Sequence, residues 1–224
     1  MGIFSGANHA ITAATLLLAL SAAAADGNEL ARAREAAALG SEDRALDIAM
    51  QGLKRTPADR ELFLYAVELL PEKPSARAAA LAALARAGAE KEKDDYAWYL
   101  GLCKTTRVAG RAAQAVANCR KAMELEPVAY PPYRELGLTY AASGDLARAA
   151  ETLGQGVEIS SSSFQAHYQL ARTLESAGNA AGARRSYNTA RRLAGAARDM
   201  DAKYYRALIA AGVLIVNLME MAGV

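Results

Sequence analysis

Apolar and polar residues follow one another along most of this chain with a helical period, and no stretch alternates apolar with polar as a half-buried strand requires. Between residues 96 and 197 the pattern falls into amphipathic segments of about three to four turns, separated alternately by a glycine and by a Pro- or Ser-rich link. Gly110, Gly144 and Gly178 mark the tight links, and Pro127 and the serines at 160–163 mark the wider ones. Abundant alanine and few β-branched residues point the same way. An all-α protein of antiparallel helix pairs is therefore predicted.

The links recur every 34 residues, and so do the side chains between them. Tyr99, Tyr133 and His167 share one column; Leu102, Leu136 and Leu170 a second; Cys103, Gly137 and Ala171 a third; Ala115, Ala149 and Ala183 a fourth; Cys119, Leu153 and Tyr187 a fifth. The small residues of the third and fourth columns let the two helices of a pair cross near the low end of the usual interaxial range, about 8–10 Å, and the larger columns fill the space around that crossing. One pair cannot cover its own apolar faces, so successive pairs must stack.

Tyr133, Leu136, Gly137, Tyr140, Ala149 and Leu153, with Pro127 closing the preceding unit, resemble the pattern of the tetratricopeptide repeat family. The resemblance is strong over 96–129, 130–163 and 164–197. It decays upstream, where Gly40, Ala45 and Pro57 place a degenerate repeat at about 26–59 and the segment Phe63–Asp95 fills another at about 60–95. It implies an all-α, right-handed superhelical solenoid over 26–197, with a C-terminal capping helix in 198–224. In this family partners are gripped on a concave face made by the first helix of each pair. The repeat phase places Leu100, Lys104 and Arg107 on that face, then Arg134, Leu138 and Ala141, then Tyr168, Arg172 and Glu175. The cations suit an acidic or C-terminal carboxylate segment of a partner, and Leu100, Leu138 and Tyr168 suit its apolar anchors. The family's clamp for chaperone tails is not reproduced, because Leu100 and Glu135 stand where it needs a cation and an amide.

The two ends change the picture of where the protein works. Residues 1–25 carry no Asp, Glu, Lys or Arg, and a small, apolar run ends at Ala23-Ala24-Ala25, which predicts a secretory signal peptide cleaved after Ala25, with an uncleaved anchor or a soluble Ala-rich helix as the alternatives. The positive charges that usually open such a segment are missing. A periplasmic or secreted bacterial protein is expected. Residues 207–218 are apolar nearly all round, which suits a buried capping helix or a helix that docks on a partner or on a second copy; Asn217 and Glu220 interrupt the run, and no stable membrane span is expected.

Cys103 and Cys119, the only cysteines, fall one in each helix of the same predicted hairpin, each about eight residues from its turn. At 1.5 Å per residue they stand at the same height, about 12 Å from the turn, in columns that face the helix crossing. An oxidising compartment would allow them to form a disulfide; two buried free thiols acting as small apolar residues are the alternative.

Charge and chemistry exclude more than they add. A balance of 26 basic and 24 acidic residues leaves a net charge of +2, too small to draw nucleic acid. His167, the sole histidine after residue 25, sits in a column of tyrosines and reads as a core aromatic, with no second ligand one helical turn away. No phosphate-binding Gly loop, H-E-x-x-H or G-x-S-x-G motif is present, so no catalytic, metal-binding or cofactor-binding residue is expected. The predicted role is a non-catalytic protein-interaction scaffold of the bacterial cell envelope. The alternatives are an assembly factor for a pilus or secretion system and a structural module that homodimerises through its C-terminal helix.

Overall fold

A computed structural model of the chain describes residues 28–196 and 200–222; the predicted signal peptide at 1–25 lies outside them. Among the described residues there are eleven α-helices and no strand. The chain divides into two compact units between Pro71 and Glu72, inside the link that carries Pro71 and Pro74.

The first unit contains α1 (Glu29–Ala38), α2 (Glu42–Arg55) and α3 (Arg60–Glu68). Asn28 and Asp59 cap α1 and α3 by accepting from the Ala31 and Leu62 backbone N–H groups, both at 3.0 Å. Leu46, Leu53, Leu62 and Phe63 are among the largest of its almost fully buried apolar side chains. Gly52 is required where α2 meets α1 and α3, since a Cβ there would stand 2.6 Å from Leu62 Cδ2 and 2.9 Å from Glu29 Cβ.

The second unit contains α4 (Ala76–Lys91), α5 (Tyr96–Val108), α6 (Ala112–Leu125), α7 (Tyr130–Ala142), α8 (Leu146–Ile159), α9 (Phe164–Ser176), α10 (Ala180–Ala196) and α11 (Met200–Ala222). α5 with α6, α7 with α8 and α9 with α10 are antiparallel hairpins, and their first helices start 34 residues apart, at Tyr96, Tyr130 and Phe164. Each hairpin turns on a glycine in the left-handed region; at Gly144 φ is +78°. Its N–H donates to Ala141 O and the Asp145 N–H to Tyr140 O, both at 3.0 Å, which ends α7 and starts α8 in a single step.

Inside the α7–α8 hairpin a Cβ on Gly137 would lie 2.5 Å from Leu153 Cγ, so the missing side chain is what lets Leu153 seat against the α7 backbone. Gly154, the next residue along α8, has open space where its Cβ would be. The two glycines should therefore respond with opposite signs. Gly137→Ala is expected to destabilise by about 1–3 kcal/mol through overpacking, whereas Gly154→Ala should stabilise by up to about 1 kcal/mol through helix propensity. Urea unfolding of the two variants followed by circular dichroism checks both signs.

α11 closes the array. Ile209 and Val216 are fully buried, and Tyr205 meets Phe164 and Tyr168 of α9 edge to face, with ring centroids 5.4 and 5.1 Å apart. Gly212 admits the Tyr187 ring of α10, whose Cζ would be 2.3 Å from a Cβ at that position. The helix runs further than its most apolar core: Tyr205–Ala222 is an 18-residue stretch of mean hydropathy 1.5, long and apolar enough to cross a membrane.

Candidate protein-binding face and its buried ion cluster

The first helices of the second unit's hairpins, α5, α7 and α9, lie side by side. The residues that the repeat phase assigns to their common face do not all reach its surface. Leu100 is buried, and Lys104 is only 3% exposed. Tyr168 is buried too, because Tyr205 of α11 lies across its ring. The helix that closes the array thus takes up a side chain expected to anchor a partner. Arg134, Leu138, Ala141 and Glu175 remain half-buried, and Arg172 is exposed, its guanidinium 6.0 Å from the centre of the Tyr168 ring. Glu175 accepts a hydrogen bond of 2.5 Å from the Tyr187 hydroxyl. Burial of the ring, and after it the carboxylate beside the hydroxyl, push the Tyr187 phenol well above its ordinary pKa.

Beneath this face sits a carboxylate. Glu135 is 1% exposed and accepts from Arg107 Nε at 2.6 Å through one oxygen, and from Arg134 Nε and Nη2 at 3.1 and 2.9 Å through the other. Arg107 Nη1 also pairs with Glu72 at 2.6 Å, and its buried Nη2 meets no acceptor. Burial by itself would raise the Glu135 pKa, but Arg134, Arg107 and Lys104 together outweigh it and hold the carboxyl below the usual range. For Lys104 the balance is reversed: desolvation dominates and lowers its pKa despite the attraction of Glu135. Three cations therefore surround two carboxylates, one of which, Glu72, is largely exposed.

The hairpin crossing is built three different ways. In α5–α6 it is made by Cys103 and Cys119, both fully buried and joined in a disulfide with a Cα separation of 4.8 Å. The same two positions hold Gly137 and Leu153 in α7–α8, and Ala171 and Tyr187 in α9–α10. The first residue of each pair is small, and in α7–α8 Leu153 fills the space that Gly137 leaves.

Tyr133 and His167 share another role. The Tyr133 hydroxyl donates to Pro127 O, and His167 Nε2 lies against Ser161 O, each at 3.0 Å and each six residues back along the chain. Both side chains are half-buried and tie the start of a first helix to the preceding turn. His167 is thus a polar tether at the rim; its column was expected to be core, but the ring is only half-buried, with its Nε2 against a turn carbonyl.

Comparison with solved structures agrees with this architecture. The chain is similar to TTC0263, a thermophilic TPR protein of Thermus thermophilus, with a TM-score of 0.66 at 21% identity, covering 82% of this chain and 98% of that one. The fold is that of the tetratricopeptide repeat. A crystal structure of MamA is also similar, with a TM-score of 0.51 at 17% identity over 72% of this chain and 93% of that one. No family model and no curated protein sequence matches the chain.

Within the tetratricopeptide fold, two features escaped the reading of the sequence. Thr105, Thr139 and Thr173 are buried at the same place in successive first helices, and each hydroxyl donates to the carbonyl four residues earlier, Gly101, Glu135 and Gln169 respectively. Their 34-residue spacing was visible in the sequence. The second feature is Glu135 as an ionic centre, and its only sign is a column that runs Gly101, Glu135, Gln169, where a charge stands between two uncharged residues.

Proposed function

We propose that this protein is a non-catalytic protein-binding scaffold of the bacterial cell envelope, and that it takes an acidic partner segment along α7 and α9. The observation that carries this reading is the arrangement of Arg134 and Leu138 on α7 beside exposed Arg172 on α9, above the buried Glu135 that orders Arg134. Glu135 holds the Arg134 guanidinium through two hydrogen bonds, so part of the ordering that binding would otherwise require is already in place. Arg172 supplies a second cation, and Leu138 an apolar contact between the two. The likeness to tetratricopeptide proteins supports an interaction scaffold in general terms. Assignment to the envelope rests on the apolar, uncharged segment 1–25 and on the Cys103–Cys119 bridge, which suits an oxidising compartment.

Crosslinking in native envelopes followed by mass spectrometry would identify the partner and the face that it touches. Arg172→Glu should lower capture at least about tenfold, equivalent to about 1.4 kcal/mol, with circular dichroism unchanged because Arg172 is exposed. Undiminished capture rejects this face. Recovery of the protein from the cytosolic fraction with residues 1–25 retained rejects the envelope assignment.

A further inference from the structure

We infer that α11 joins two copies of this protein by packing antiparallel against α11 of the second copy. The helix has two apolar faces. Tyr205, Ile209, Gly212, Val216 and Met219 face α9 and α10. On the other side Ala207, Ala211, Leu214, Leu218 and Met221 are all exposed, and Leu214, Leu218 and Met221 keep 61%, 55% and 83% of their surface. Those five positions advance by four, three, four and three residues, the step of a coiled-coil seam. Neither charged residue between Tyr205 and Ala222 serves the seam. Arg206 Nε donates to Ala194 O of α10 at 2.9 Å, and Glu220 pairs with Arg184 of α10 at 2.7 Å.

The sizes along the seam select its occupant. It is small toward the N-terminus, at Ala207 and Ala211, and large toward the C-terminus, at Leu214 and Leu218. Parallel pairing would set alanine on alanine and leucine on leucine, a wedge that forces the axes apart. Antiparallel pairing sets Ala207 against Leu218 of the second copy and Ala211 against Leu214 of the second copy, and the two-fold axis repeats both contacts. All four layers then contain one alanine and one leucine, so the helices can approach evenly along about 16 Å of seam. Such self-complementarity is what an isologous two-fold interface demands. A bilayer suits the seam less well, because the ties of Arg206 and Glu220 hold α11 along α10, which exposes Arg184, Arg185, Arg191 and Arg192. The pairing does not depend on partner capture at α7 and α9.

Sedimentation equilibrium of the full chain should show a dimer at concentrations on the order of 10 μM. Leu214→Glu combined with Leu218→Glu should raise the dissociation constant by at least about 100-fold while leaving circular dichroism unchanged. Direction is read by oxidative crosslinking: Ala207→Cys mixed with Leu218→Cys should give a mixed disulfide dimer far faster than either variant alone. A monomeric wild-type protein overturns the inference, as does a dimer indifferent to the two glutamates. Self-crosslinking of each cysteine variant, which reports parallel helices, overturns it as well. So does a monomer that co-sediments with vesicles of phosphatidylcholine and phosphatidylglycerol through Leu214 and Leu218, which would hand the seam to a lipid surface.

Discussion

Glu135→Gln should reduce the unfolding free energy by about 3–5 kcal/mol, the usual cost of removing one partner from a buried ionic cluster. The amide has nearly the same shape as the carboxyl, so the loss comes from charge: Arg107, Arg134 and Lys104 would lose the buried carboxylate that they share. The same column of the next repeat holds an amide, Gln169. Urea unfolding at neutral pH measures the effect, and a loss below about 1 kcal/mol would show that the cluster is incidental to stability. The pH dependence carries a second signature. The folded-state pKa of Glu135 is depressed, so its stabilisation is fully present above the unfolded-state value, about 4.3, and is lost as pH falls through the lower folded value. Lys104 acts at the other end of the range. Its depressed pKa means that the folded protein binds fewer protons than the unfolded chain between the folded value and about 10.4, so stability rises with pH across that window. Glu135→Gln should flatten the acid limb, and Lys104→Met the alkaline one.

Breaking the Cys103–Cys119 bridge is the second large perturbation. It closes a loop with a sequence separation of 16, which in the chain-entropy treatment contributes about 3 kcal/mol by restricting the unfolded chain. Reduction with dithiothreitol, or Cys103→Ala with Cys119→Ala, should lower stability by that order, mainly by raising the entropy of the unfolded state. The neighbouring hairpin suggests how to separate entropy from packing. Cys103→Gly with Cys119→Leu reproduces the Gly137–Leu153 pair at the equivalent crossing, so it should restore the packing without the covalent link. If this pair is as stable as the oxidised protein, the bridge acts through packing alone. If it is no better than the double alanine, the crossing of α5 and α6 differs from that of α7 and α8.

Two residues of the predicted binding face show how far repeat phase alone can be trusted. It placed Arg107 and Tyr168 correctly on first helices, but it could not show that Arg107 reaches across to Glu135 of the next hairpin or that Tyr205 covers the tyrosine. Side-chain neighbours in a stacked array come from adjacent hairpins and from the closing helix, far away in sequence. A column pattern records which residue packs inside its own hairpin and says little about what crosses between hairpins.

For the same reason, the sequence by itself determined the helix pairs, their 34-residue period, the glycine turns and the small residues at each crossing. These depend on backbone geometry and on contacts within one repeat, and they are written again in every copy. Only the tertiary structure decided that Lys104 and Glu135 are buried together. It also decided that α11 spends one apolar face on α10 and leaves the other exposed. Each of these turns on how much water is excluded when separate elements pack, a property of the assembled array that is written in no single repeat.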